Sequence, residues 1–142
     1  MSGLVKAPTR GEKNANPGNI RFDLLTQWLG QTGHDDEGFC RFDMPEHGIR
    51  ALCRVLLNYQ RLDGCHTLEA VVRRYAPRTE NDTGAYLTDL VARTGIGAGK
   101  PLDLDHPGEL ANITRAIIFH ENGRCIYDAA TVAKAVTLAL QG

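Results

Sequence analysis

Two adjacent residues late in the chain, His120 and Glu121, place an imidazole and a carboxylate at the end of an apolar run, AIIFHENG, residues 116 to 123. A carboxylate held against apolar neighbours has its charged form disfavoured, the property a general acid needs near neutral pH. At about 100° per residue, Glu121 lies only about 20° around a helix from Leu110 and about 40° from Ile117, so it points with the apolar stripe. The negative end of the helix dipole pushes the same way. Against this stands a plainer reading, in which Asn122-Gly123 makes an ordinary C-cap and the carboxylate turns to water, while His120 is simply a favourable cation at a helix end. Periodicity alone favours the plainer reading.

Other chemistry is thinly signalled. Cys40, Cys53, Cys65 and Cys125 include no CxxC pair, and with His47 and His66 they match no common zinc spacing, so free buried thiols and no metal are expected. The segment GIGAGKPLDLDHPG, residues 95 to 108, has a lysine among glycines. It lacks the Ser or Thr after the lysine, and the preceding strand, that a phosphate-binding loop needs. Its length makes it a candidate cleft-lining loop. No cofactor is implied.

The elements that must position Glu121 read as follows. Residues 1 to about 16 are polar and glycine-bearing, which predicts a flexible arm over 1–15. Ile20 to Phe22 and Gly38 to Phe42, around the turn-rich GQTGHDDEG, predict a small hairpin. Asp43 with Glu46 predicts a capping box opening a helix to about 61, with Ile49, Leu52, Cys53, Leu56 and Tyr59 on one face. Thr67 caps a second helix that Pro77 closes, and Asp82 or Thr83 caps a third ending near Gly95. A fourth runs from about Glu109 to His120 and a fifth from its cap at Asp128 to Leu140. The expectation is one domain, mainly α with a small β-hairpin, and no internal repeat.

Composition narrows the function classes. At 142 residues the chain is long enough for a core without staples. With 16 Lys+Arg against 17 Asp+Glu, no global field draws it to nucleic acid or an anionic membrane. No apolar run reaches the roughly 20 residues of a spanning helix, and the N-terminus lacks the apolar core of a secretory signal. Synthesis as a soluble cytosolic chain is therefore expected, with any export by another route.

Beyond these physical readings, two stretches carry a resemblance. AIIFHENG resembles the end of the first active-site helix of lytic transglycosylases and related lysozyme-like enzymes, where an apolar helix delivers a catalytic Glu followed by a small polar residue and Gly. Residues 16 to 60, from NPGNIRF through GFCRF to HGIRALCRVLLNYQ, are similar to a family of phage virion and endolysin-associated proteins. The pattern continues into RRYAPRTENDTGAYLTDLV at 73 to 91 and ENG..IYD near the end, and so covers most of the chain. More loosely, the same region resembles the hairpin and following helix of flagellar-muramidase-type glucosaminidases. In the enzymes the Glu-bearing helix precedes the hairpin, whereas here it follows, so the resemblance implies a lysozyme-like α+β fold in circularly permuted order, a rearrangement that domains with neighbouring termini tolerate.

The resemblance implies that Glu121 is the general acid of a peptidoglycan glycan-strand cleaving enzyme, a muramidase or lytic transglycosylase, with Glu80 of TENDT the leading second carboxylate. Glu80 also reads as the ordinary acid at a helix start, and that weighs against its catalytic role. Asn16 and Asn19 of NPGNIR, Arg21, Trp28 and Tyr86 are the candidate substrate-binding residues. Packing competes for Trp28 and Tyr86. Two other functions stay open: a non-catalytic virion or baseplate component binding glycan or a neighbouring protein, and a cell-wall-degrading effector delivered by a contractile secretion system. In the enzyme readings the partner is the peptidoglycan strand and the place of action is the cell wall, reached by phage-dependent or secretion-system delivery.

Overall fold

One long helix organises the core. In the computed structural model, which describes residues 6–76 and 82–142, α2 spans Pro45–Asp63 and buries Ile49, Leu52, Cys53, Leu56 and Leu57 completely. These residues recur at helical spacing, so one stripe of α2 serves the whole core. Each such side chain contributes about 1.5–3 kcal/mol by leaving water. Leu56→Ala would open a cavity in this stripe and cost about 2–5 kcal/mol. Gly64, at φ 68°, ends the helix in the left-handed conformation.

Around α2 the chain lays α3 (Leu68–Tyr75), α4 (Thr83–Thr94), α5 (Pro107–Asn122) and α6 (Ala129–Gln141). Three of these start as their sequences predict: Thr67 accepts from the Ala70 amide, Asp82 from Ala85 and Asp128 from Thr131. α6 brings Val132, Ala135, Val136 and Ala139 to the core cluster that α2 dominates, and Arg54 of α2 donates to the Ala139 carbonyl at 3.0 Å. α5 adds Leu110, Ile113, Ile117 and Ile118, all essentially without exposure. The molecule is thus mainly helical, with one two-stranded antiparallel sheet among the described residues.

Three local expectations are corrected. The N-terminal arm is ordered well before residue 16: α1 (Arg10–Lys13) opens with a full capping box between Thr9 and Glu12, and Asn14 and Asn16 are buried. The reason is long-range, since Glu12 meets Arg124 at 2.6 Å. The hairpin strands are β1 (Gln31–His34) and β2 (Cys40–Phe42), with an irregularity between Gln31 and Gly33. Ile20–Phe22, expected as the first strand, instead flanks the other edge of β2 through the Arg21–Phe39 bridge. Asp35 closes the turn by accepting from the Phe39 and Glu37 amides and the Asn14 side chain. Those bonds, Phe39's foremost, outweigh burial and hold its carboxyl below the usual range.

Asp43 does not cap α2. Met44 takes that position without a side-chain bond, and Asp43 pairs with His47 Nδ1 at 2.6 Å. The 95–108 loop lines a pocket of its own, through Ile96, Asp103, His106 and Gly108, away from the cleft around Glu121, and it is pinned to the core: Leu102 and Leu104 are buried, and their amides donate to the His66 carbonyl and to Gln60 Oε1. The free thiols behave as expected at three positions, with Cys40, Cys53 and Cys65 buried and Cys125 half-buried. Burial pushes the Cys53 thiol up to about 11, which keeps it protonated and unreactive.

Candidate functional site

α5 delivers Glu121 inside its last turn. The helix starts at Pro107 behind the His106 cap and ends at Gly123, φ 73°, so Glu121 is a helical residue and its direction follows the periodicity. The neighbouring Asn122 bolts this end of the helix to the opposite end of the chain. Its Nδ2 donates to the Pro17 and Ile118 carbonyls, each at 2.8 Å, and its Oδ1 accepts from Thr9 Oγ1 at 2.6 Å. Pro17 belongs to the NPGN turn, which the Asn19 amide closes onto the Asn16 carbonyl. Asn19 itself sits at φ 52°, a conformation that asparagine tolerates better than most residues.

This turn and α4 together grip the carboxylate. Asn19 Nδ2 donates to Glu121 Oε1 at 2.9 Å, and the Tyr86 hydroxyl donates to Oε2 at 2.8 Å. Both donors are neutral, and no Lys or Arg forms an ion pair with Glu121 among the described residues. Tyr86 is 2% exposed. Its phenol is pushed far above the ordinary value, by burial first and then by the neighbouring Tyr75 and Glu121, so it remains a hydroxyl donor at any working pH. Tyr75, whose phenol burial and Glu121 raise in the same direction, donates to the Gly18 carbonyl.

Glu121 faces a cleft of about 290 Å³, lined also by Asn19, Arg21, Arg10, Phe39, Tyr59 and Tyr75. That is near the lower bound of ligand clefts, about 300–1,000 Å³. The cleft thus combines aromatic rings with a few converging amide, hydroxyl and guanidinium groups.

A second layer fixes Tyr86. The His120 ring lies against it, centroids 3.8 Å apart, and His120 Nδ1 is 2.7 Å from Asp89 Oδ2, which Arg93 also contacts. Burial works against the Asp89 charge, but the bonds from Arg93 and His120 win and hold its carboxyl low. His120 is therefore anchored by an anion and does not merely decorate the helix end.

Of the residues singled out from sequence, Asn19, Arg21 and Tyr86 converge with Glu121. Asn16 does not reach the cleft. It is fully buried and ties the Ile20 amide and carbonyl to the Cys40 carbonyl, each at 3.0 Å. Trp28 also lies elsewhere, packed on the Cys40, Phe42 and Ala51 cluster. Arg21 stacks over the Phe39 ring at 4.8 Å. Glu80 lies outside the described residues. Sequence reasoning missed Arg10, Tyr59, Tyr75 and Asn122. The two tyrosines end the apolar stripes of α2 and α3, and a hydroxyl-bearing ring at a stripe's end is a recognisable cleft-rim signal.

No protein-family model matches the chain. It is, however, 37% identical over 123 residues to Protein P5 of Pseudoalteromonas phage PM2, a match that spans 84% of this chain and 74% of that protein. The chain belongs to the Protein P5 family. The expected kinship with phage proteins therefore holds.

Proposed function

We propose that this Protein P5 family member cleaves peptidoglycan glycan strands, as a muramidase or lytic transglycosylase, with Glu121 as the general acid. The single observation that carries this reading is the placement of Glu121: a helix-end carboxylate opening on a cleft, with both oxygens on neutral donors from distant parts of the chain. The lysozyme-like, permuted arrangement is part of the same proposal. It is supported by the docking of α5 beside the NPGN turn that leads into the hairpin.

In this mechanism the Glu121 proton passes to the glycosidic oxygen as the C1–O bond breaks, and the leaving strand departs with that proton. The resulting oxocarbenium-like sugar is then captured by water or by its own 6-hydroxyl. The Glu121 carboxylate takes up the proton released in that capture, which regenerates the acid. Among the described residues lining the cleft there is no second carboxylate, which favours the version in which one group performs both proton transfers. Glu80 remains the proposed alternative for the second step.

Purified cell walls incubated with the protein should lose turbidity, and Glu121→Gln should abolish this. Full activity in Glu121→Gln would remove that residue as the acid. Mass spectrometry of the fragments separates the two outcomes, since anhydro-sugar ends mean capture by the 6-hydroxyl and reducing ends mean water. Glu80→Gln reads the second carboxylate directly.

The second reading, a non-catalytic virion component that binds glycan or a neighbouring protein, draws its support from the phage relative. An unmodified protein that binds cell walls without cleaving them across a range of pH would favour it. Action at the cell wall after phage-dependent delivery, or delivery as a secretion-system effector, belongs to the same proposal. No helix among the described residues is long and apolar enough to cross a membrane.

A further inference from the structure

The cleft that holds Glu121 also holds two guanidinium groups that the proposed acid chemistry does not use. Arg10 lies over the Phe39 ring at 3.7 Å and Arg21 over the same ring at 4.8 Å, and all three side chains line the cleft with Glu121. One aromatic ring thus gathers two cations from separate segments, α1 and the strand edge beside β2. A guanidinium held over a ring keeps N–H groups for another partner, and a carboxylate is the anion whose two oxygens match its fork.

Their existing partners are weak competitors. Arg10 approaches Glu37 at 3.4 Å, with the two side chains 40% and 70% exposed. A contact that long and that wet is readily displaced by an incoming anion with better geometry. Arg21 is exposed and pairs with no carboxylate among the described residues.

We propose that Arg10 and Arg21, stacked on Phe39, form a subsite for a carboxylate carried by the glycan strand, namely the acidic stem peptide attached to its sugars. This rests on the glycan-cleaving reading and sharpens it: the substrate is the peptide-bearing strand, and Glu121 acts beside a sugar whose peptide is held by the arginine pair. A bare polymer of N-acetylglucosamine offers these two cations only neutral hydroxyl and amide oxygens. A peptide-bearing sugar offers several carboxylates.

The test is a titration of the intact protein, at low salt, with a soluble disaccharide–tetrapeptide fragment of peptidoglycan and with a bare disaccharide of N-acetylglucosamine, which carries neither peptide nor carboxylate. The peptide-bearing fragment should bind about tenfold tighter, and rising salt should erode that margin. Arg10→Gln with Arg21→Gln should abolish the margin, so that the two fragments bind equally. Arg21→Gln alone, at an exposed position, should remove part of the margin without disturbing the fold, and Arg21→Lys should restore less than the arginine. Equal affinity for the two fragments, absence of binding by both, or a preference that survives the double substitution would each overturn the subsite. Failure of the enzyme reading looks different: cell walls stay intact while the peptide preference and its arginine dependence persist.

Discussion

Glu12 and Glu121 meet at the same end of α5 and are held in opposite ways. Glu12, 4% exposed, takes both an Nε and an Nη2 bond from Arg124, just past the helix cap, and closes the Thr9 capping box as well. Glu121, one turn earlier, receives one bond from an amide and one from a phenol and opens on a cleft. Protonating Glu12 would break an ion pair and strand a guanidinium, whereas protonating Glu121 would break no ion pair. The difference separates a carboxylate that ties the two ends of the chain together through an ion pair from one held by neutral donors at the wall of a cleft.

The contrast can be broken from either side. The largest effect should come from Glu121→Gln, which keeps the shape and removes the proton: cell-wall turbidity loss should fall by roughly 10²–10⁴-fold, while the thermal midpoint stays within a few degrees of the parent. Arg124→Ala should do the reverse, lowering the urea midpoint while leaving the cleft carboxylate in place, because it removes the charge partner of Glu12 and leaves that carboxylate only its Thr9 bond. The Arg124 bonds, outweighing burial, lower the Glu12 pKa from its ordinary 4.5. Glu12 therefore contributes stability that is fully present above about pH 4.5 and is lost as pH falls through its lowered folded value. Urea midpoints measured below pH 5 should drop more steeply in the parent than in Glu12→Gln.

The same contrast recurs between two asparagines. Asn16→Ala, which orphans the part-buried Ile20 amide and carbonyl and the buried Cys40 carbonyl, should cost about 1–3 kcal/mol of stability. Asn19→Gly, whose replacement accepts the positive φ, should leave stability nearly unchanged and lower the cleavage rate about tenfold, the value of one hydrogen bond to a charged group. Tyr86→Phe should match Asn19→Gly in size. If instead Asn19→Gly unfolds the protein and Asn16→Ala only slows it, the division between strut and site is drawn in the wrong place.

Much of the helical frame was legible because local signals sufficed: Thr67, Asp82 and Asp128 cap where their side chains predict, and the 49–56 stripe buries as one face. Glu121 was legible as a direction on a helix, but periodicity could not say whether that direction met water or protein. The answer lay with Asn19 and Tyr86, 102 and 35 residues away in sequence. The ordered arm was hidden for the same reason, since RGEKNAN has no apolar pattern and is fixed by Arg124 and Asn122. Asp43 misled because His47 competes for its carboxylate.

The clasp formed by Thr9, Glu12, Asn122 and Arg124 has a further consequence in time. Its bonds close loops of 112 and 113 residues, and contacts of that separation carry the full entropy of chain closure, so they form after local helices are in place. The cleft is therefore assembled among the last events of folding. A chain trimmed back past Thr9 would lose the α1 cap and the Thr9–Asn122 bond, and with them one of the ties that hold its two ends together beside the cleft.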